Sequence, residues 1–152
     1  MSSYHAAAHG VDMGKQENLQ TFNEWITAHR AHDLDKLIGF VTDDITIRSA
    51  AGEKMSPANG KEEAREHWGG IFNTFPDFRM EALAITAEED RLVAEISHGG
   101  TMKGMMGDKG PTGKSYRLTG AFRMDFSKGK TQRIQSYWDT AAMADQLGLL
   151  PN

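Results

Sequence analysis

An alternating stretch near the C-terminal end of the chain constrains the fold more than any other feature. Residues 114–126 read KSYRLTGAFRMDF, in which apolar and polar side chains alternate. Successive side chains of a β-strand point to opposite faces, so this pattern predicts a strand with one face on a core and the other on solvent or a second subunit. The apolar face would carry Tyr116, Leu118, Phe122, Met124 and Phe126.

Three similar segments predict that this strand belongs to an antiparallel sheet. Strands are expected near residues 77–88, 91–103 and 131–138, with the segments EED and SKGK forming tight turns between neighbours.

The first half of the chain has helical periodicity instead. Apolar residues recur at helical intervals in residues 17–32, 34–41 and 64–75, and the segment DITIRS between them predicts a short strand. Pro76 ends the third helix. Helices followed by a long meander predict an α+β fold, in which a curved antiparallel sheet wraps around the N-terminal helices.

Length and charge restrict the domain organisation and the partners. The 152 residues suit one domain, predicted over 17–152, after a flexible lead-in over 1–16. The formal net charge is −4 and no basic run is present, so nucleic acid is not expected as a partner. Cysteine is absent and no segment has the apolar length of a membrane span, which favours a cytoplasmic location without a membrane partner.

Two histidine pairs have spacings that a metal site could use. His5 and His9 lie four residues apart in the lead-in, and His29 and His32 lie three apart near a helix end. The sequence places no third ligand beside either pair, so neither a metal nor another cofactor is predicted. His29 and His32 are interpreted as a solvated helix end, whereas His67 suits either a polar helix surface or a pocket rim.

His98 is a candidate catalytic residue. Strand alternation places it on the same face as Leu92, Ala94 and Ile96. An imidazole on the wall of an apolar cavity can act as a general acid or base. A hydrogen-bonded core histidine explains the pattern as well, so both interpretations stay open.

Asp139 is the second candidate and also has two interpretations. It precedes the helix-forming segment TAAMADQLG, so its carboxylate could cap that helix. If the chain instead turned it into a cavity beside Trp138, burial would raise its pKa toward that of a general base.

Four segments in a fixed order carry a family resemblance. They are HWGGIFNTFPDF at 67–78, GGTMKGMMGDKGPTGKSY at 99–116, GAFRMDF at 120–126 and YWDTAAMADQLGLLP at 137–151. On these segments the chain resembles the SnoaL-like polyketide cyclases of the nuclear transport factor 2-like superfamily, over about residues 17 to 151.

The resemblance implies a cone-shaped sheet around an apolar pocket, and a homodimer. Asp139 is similar to the aspartate that serves as acid/base in the aldol closure of the family's cyclases, and Met102 stands where many members have histidine. The pocket residues implied are Trp68, Met102, Tyr116, Phe122, Ser136 and Trp138.

The resemblance also bears on the reaction. Limonene epoxide hydrolase is a related enzyme whose Asp-Arg-Asp set would correspond to Lys103, Met105 and Ser136, so epoxide hydrolysis is not expected. The hypothesis is a cofactor-independent enzyme that performs acid/base chemistry (cyclisation, isomerisation or a lyase reaction) on an apolar cyclic or aromatic carbonyl compound. The alternative is a non-catalytic ligand-binding or assembly protein of the same fold.

Overall fold

The structure is a computed structural model that describes residues 2–52 and 57–151, with side chains described from residue 14 onward. Four helices and six strands are found in these ranges. In chain order they are α1 (Ser2–Ala31), α2 (Leu34–Gly39), β1 (Val41–Ser49), β2 (Ala58–Asn59), α3 (Gly60–Thr74), β3 (Arg79–Ala87), β4 (Arg91–Thr101), β5 (Ser115–Ser127), β6 (Lys130–Tyr137) and α4 (Thr140–Gln146).

The predicted α+β architecture is confirmed, and one helix is longer than expected. Helix α1 begins at Ser2, whereas the periodicity predicted helix only from residue 17. The flexibility of residues 1–16 stays a prediction. His5 and His9 fall outside the residues whose side chains are described. No helix in residues 2–52 and 57–151 is both long and apolar enough to cross a membrane.

The sheet is curved and unclosed, with the strand order β2-β1-β6-β5-β4-β3. Its pairs are antiparallel except β1 and β6, which run parallel with Ile47 opposite Ile134. The four strands that the sequence predicted as an antiparallel sheet, β3 to β6, do pair antiparallel, and the parallel pair adds β1, whose partner the sequence did not predict. The parallel pair places the last strand of the chain in the middle of the sheet.

Irregular pairing accompanies the curvature. The register shifts between Ala82 and Ala84 on β3 and between Asp125 and Phe126 on β5. Such bulges bend a strand and increase its twist. The sheet therefore wraps its apolar face around α1, which packs against β3, and α3, which packs against β1.

The connection between β4 and β5 folds back over the end of α3. The main-chain N–H groups of Lys103 and Gly104 both donate to the carbonyl of Thr74, at 2.9 and 3.1 Å. A Cβ atom on Gly104 would overlap the Asn73 carbonyl, so this close approach requires glycine. Residues 102–114 are thereby fixed at one end of the sheet.

Candidate functional site

A cavity of about 800 Å³ lies between the inner face of the sheet and helices α1 and α3. Five of its lining residues are exposed, so the cavity opens at the surface between α3 and the β4–β5 connection: Glu66, Gly70, Asn73, Met105 and Gly107. Seven of the lining residues are aromatic. The aromatic lining residues are Trp25, Trp68, Phe75, Phe78, Tyr116, Phe122 and Trp138.

His98 and Tyr116 form a hydrogen-bonded pair in this wall. Strand β4 pairs His98 with Leu118 and Gly100 with Tyr116, so the two side chains are diagonal neighbours on the inner face. The Nδ1 atom of His98 lies 2.9 Å from the Oη atom of Tyr116. The other ring nitrogen, Nε2, is buried and has no hydrogen-bond partner among the described residues.

Burial keeps both members of the pair uncharged at neutral pH. Desolvation lowers the pKa of His98 from 6.5 to about 4. Desolvation, with a smaller contribution from the charge of Asp77, raises the pKa of the Tyr116 hydroxyl above its usual value. Two tautomers are compatible with this pair. If Tyr116 donates to Nδ1, then Nε2 carries a proton and is a donor; if Nδ1 donates to Tyr116, then Nε2 is an acceptor and a potential base.

Trp138 fixes the orientation of the His98 ring. The two ring centroids lie 4.4 Å apart, and Phe122 packs edge-on against Trp138 at 4.9 Å. Phe78 also lies near the ring, with its centroid 6.2 Å from that of His98. Contacts with these aromatic rings restrict the imidazole, as an acid or base needs for a defined geometry.

His29 is buried, so its predicted position at a solvated helix end was wrong. Only 2 % of it is exposed, and its ring lies 4.0 Å from that of Trp25. Desolvation lowers its pKa from 6.5 to about 3. Its Nδ1 atom lies 3.2 Å from the carbonyl of Trp25. Since a carbonyl only accepts, Nδ1 carries the proton and Nε2 is an acceptor.

His32, the histidine three residues after His29, has a structural role. His32 is stacked on Phe72 with a centroid distance of 4.1 Å, and its Nε2 atom contacts the carbonyl of Phe78 at 3.1 Å. His67, which the sequence left between two interpretations, lines the cavity. No cluster of three or more metal-ligating side chains occurs within the described part of the chain.

Asp139 caps helix α4. Its Oδ1 atom accepts a hydrogen bond from the main-chain N–H of Ala142 at 2.9 Å. The residue is exposed and does not line the cavity. Strand alternation carries it to the same side as Tyr137, and the turn into α4 directs its carboxylate to the helix N-terminus. The geometry thus supports the capping interpretation and gives no support to a catalytic Asp139.

Five of the six predicted pocket residues line the cavity: Trp68, Tyr116, Phe122, Ser136 and Trp138. Met102 does not. It is completely buried, and its sulfur lies 3.7 Å from the hydroxyl of Thr112, within the β4–β5 connection. The hydroxyl of Ser136 donates to the carbonyl of Arg48 at 3.3 Å.

Several wall residues were not among those predicted for the pocket. Trp25 and His29 on α1, and Phe75, Phe78 and Met80 around the start of β3, all line the cavity. Their helical or alternating spacing indicated burial but not the presence of a cavity beside them.

A curved sheet packed on two helices around a cavity lined by aromatic residues is the architecture of the chain. The chain belongs to the SnoaL-like domain family, whose family model matches residues 22–134. No protein of curated function matches it.

Solved structures share the fold at low sequence identity. A proposed hydroxylase from Streptomyces galilaeus is similar with a TM-score of 0.76 and 24% identity, over 91% of this chain and 89% of the other. A proposed SnoaL-like polyketide cyclase from Jannaschia sp. CCS1 has a TM-score of 0.80 and 17% identity, over 90% and 95%. A hypothetical protein from Catenulispora acidiphila with a ketosteroid isomerase-like fold, in complex with trimethylamine, has a TM-score of 0.72 and 16% identity, over 86% and 93%.

Proposed function

We propose that the chain is a small enzyme that moves a proton on an uncharged cyclic or aromatic carbonyl compound held in its cavity. The observation that carries this proposal is the buried, unpartnered Nε2 atom of His98 beside the hydroxyl of Tyr116. A buried polar atom without a partner is uncommon in native proteins. A bound compound would supply the missing partner.

His98 serves as the acid and base in this proposal. In the tautomer with Nδ1 protonated, Nε2 takes a proton from a carbon next to the carbonyl, and an enolate forms. The imidazolium keeps its Nδ1–H bond to Tyr116 and then returns the proton from Nε2 to another carbon or to oxygen. Cyclisation, isomerisation and a lyase reaction all begin with this transfer.

The low pKa of His98 limits the substrate. A base whose pKa is lowered to about 4 removes only fairly acidic protons, such as those between two carbonyl groups or between a carbonyl group and an aromatic ring. Among the described lining residues only Glu66 has a carboxylate, and it is exposed at the opening. The cavity wall therefore suits an uncharged compound with an acidic C–H group rather than a cation.

The test is deuterium exchange of 2-tetralone in D₂O, followed by NMR. We expect the protein to accelerate exchange at C1, the His98→Gln variant to lose at least about tenfold of that rate, and Asp139→Asn to retain it. Isothermal titration with 2-tetralone shows whether each variant still binds. Loss of exchange in Asp139→Asn but not in His98→Gln would overturn the assignment.

Non-catalytic binding of a small molecule is the second candidate function. The capping contact of Asp139 favours it, because the residue similar to the family's acid/base faces away from the cavity. Tight binding of 2-tetralone without any acceleration of exchange would support binding over catalysis.

A homodimer through the outer face of the sheet belongs to the same proposal. Val93 and Tyr137 are large apolar residues on that face and are 45% and 44% exposed. Arg123 and Asp125 lie beside them and form an ion pair of 3.0 Å. Light scattering should give twice the monomer mass, and Val93→Glu should reduce it to that of the monomer.

A further inference from the structure

Trp25 has a buried hydrogen-bond donor that nothing in the described structure uses. The side chain is on α1 and only 1% of it is exposed. Its Nε1 atom has no hydrogen-bond partner among the described residues. An indole nitrogen can only donate, and burying an unpaired N–H group is unfavourable. Trp25 also lines the cavity, so a compound bound in the cavity is the candidate source of an acceptor.

The packing around Trp25 holds its ring in place. His29 lies 4.0 Å away by ring centroids, Phe122 meets it edge-on at 5.3 Å, and Trp68 meets it edge-on at 6.3 Å. Rotating the indole to find a protein acceptor would disturb all three contacts. The donor is thus fixed before any compound enters.

Trp25 and His98 are at separate places in the wall. Going along the wall from Trp25, the next rings are Phe122 at 5.3 Å, Trp138 at a further 4.9 Å and His98 at a further 4.4 Å. A compound that spans this apolar path would meet one polar group at each end.

The charge around the cavity indicates an uncharged acceptor. Arg48 lines the cavity, but its guanidinium already donates to the carbonyls of Ile47 and Ala58 and to the side chain of Asn59, at 2.9, 3.0 and 2.6 Å. The rings in contact with Trp25 are those of Phe22, His29, Trp68 and Phe122, and His29 is neutral because its pKa is lowered to about 3. A carboxylate or phosphate bound against these rings would lose its hydration without a cation beside it.

We infer that Trp25 donates its indole N–H to an uncharged oxygen of the bound compound, at the end of that compound opposite to His98. The compound is therefore a flat apolar molecule with two oxygens, such as an aromatic diketone. This inference rests on the proposed function for the location of the site, and it adds a second anchoring residue and the class of ligand.

The experiment compares two probes of similar shape, 2,6-diacetylnaphthalene and 2,6-diisopropylnaphthalene, by their fluorescence on binding. Trp25→Phe removes the donor and keeps an aromatic ring. We expect it to weaken binding of the diketone by about five- to tenfold and to change binding of the hydrocarbon by less than about twofold. Trp68→Phe is the matched control, because Trp68 lines the same cavity and its nitrogen is not among the buried unpartnered atoms. It should affect both probes alike.

A measurement on the unmodified protein tests the same hydrogen bond even if Trp25→Phe fails to fold. The indole N–H signal of Trp25 in a ¹⁵N NMR spectrum is assigned by elimination with Trp68→Phe and Trp138→Phe. It should move downfield with the diketone and stay in place with the hydrocarbon.

Three results would overturn the inference: equal effects of Trp25→Phe on both probes, an unmoved indole signal in the diketone complex, or no binding of the diketone at all. If the diketone depends on Trp25 while 2-tetralone exchanges no deuterium, the anchoring role holds and only the proposed proton transfer fails.

Discussion

A Cβ atom on Gly120 would lie 2.9 Å from the Cβ atom of Trp138, so the glycine leaves the space in which the tryptophan packs. Trp138 in turn lies against His98 in the cavity wall. Gly120 on β5 thereby determines where the Trp138 ring can lie beside His98, the candidate base.

Gly120→Ala is predicted to displace Trp138. Because both the main chain and the ring lie within about 3 Å, we expect a loss of about 1–3 kcal/mol in the free energy of unfolding. Urea denaturation measures this loss, and the variant should also weaken the 2-tetralone complex. Gly70→Ala is the control, since nothing lies within 4 Å of that position in α3. It should leave stability unchanged or raise it by up to about 1 kcal/mol.

Asp139→Ala is predicted to destabilise the protein through the lost cap of α4. Removal of an aspartate cap costs about 0.5–2 kcal/mol, whereas asparagine caps a helix equally well. Thermal denaturation of Asp139→Ala and Asp139→Asn should therefore separate the two variants. If they were equally destabilised, the hydrogen bond to Ala142 would not explain the role of the residue.

Acid is predicted to destabilise the protein through its two buried histidines. The pKa values of His29 and His98 are lowered to about 3 and about 4 in the folded protein. Below pH 6.5 the unfolded chain therefore binds more protons than the folded one, and stability falls as the pH falls. Each histidine contributes a slope of up to about 1.4 kcal/mol per pH unit between its two pKa values.

His98→Gln should remove one part of this slope. Urea denaturation at several pH values between 4 and 6.5 would show a smaller dependence in the variant than in the unmodified protein. An identical dependence would mean that His98 is not buried in its neutral form.

Asp77→Ala is predicted to loosen the start of the β4–β5 connection. The carboxylate of Asp77 accepts from both the main-chain N–H and the hydroxyl of Thr101, each at 2.7 Å. The backbone hydrogen bond from Thr101 is the main cause of the lowered pKa of Asp77. Hydrogen exchange should become faster at the Thr101 amide and remain unchanged at Ile85, in the distant part of β3.

The alternating patterns predicted the inner face of the sheet well. They placed His98 and Tyr116 on the same side of neighbouring strands, and the structure confirms that both are buried there. Alternation is a local property of each strand, so it predicts the face of a side chain even when the neighbouring strands are unknown. The register that joins the two side chains into a pair required the structure.

Non-local contacts explain what could not be predicted. His29 lies near the end of α1, and it is packed against Trp68 and Phe72 of α3 and against Phe78, which are distant in the sequence. The surroundings of the unpaired Trp25 nitrogen include Trp68 of α3 and Phe122 of β5, and the spacing of residues along the sequence does not show these contacts. For Asp139 the sequence allowed either a helix cap or a carboxylate in the cavity. The direction of the turn into α4 places the carboxylate at the helix N-terminus.

The central position of β6 has a consequence for how the protein is made. Strands β1 and β5 are joined only through β6, which follows the other five described strands in the chain. Until β6 emerges from the ribosome, the two parts of the sheet have no common partner, and apolar faces such as those of Ile47 and Met124 remain uncovered. We therefore expect this sheet to stay incompletely folded until β6 has been translated and released, with its unpaired edges exposed to chaperones in the meantime.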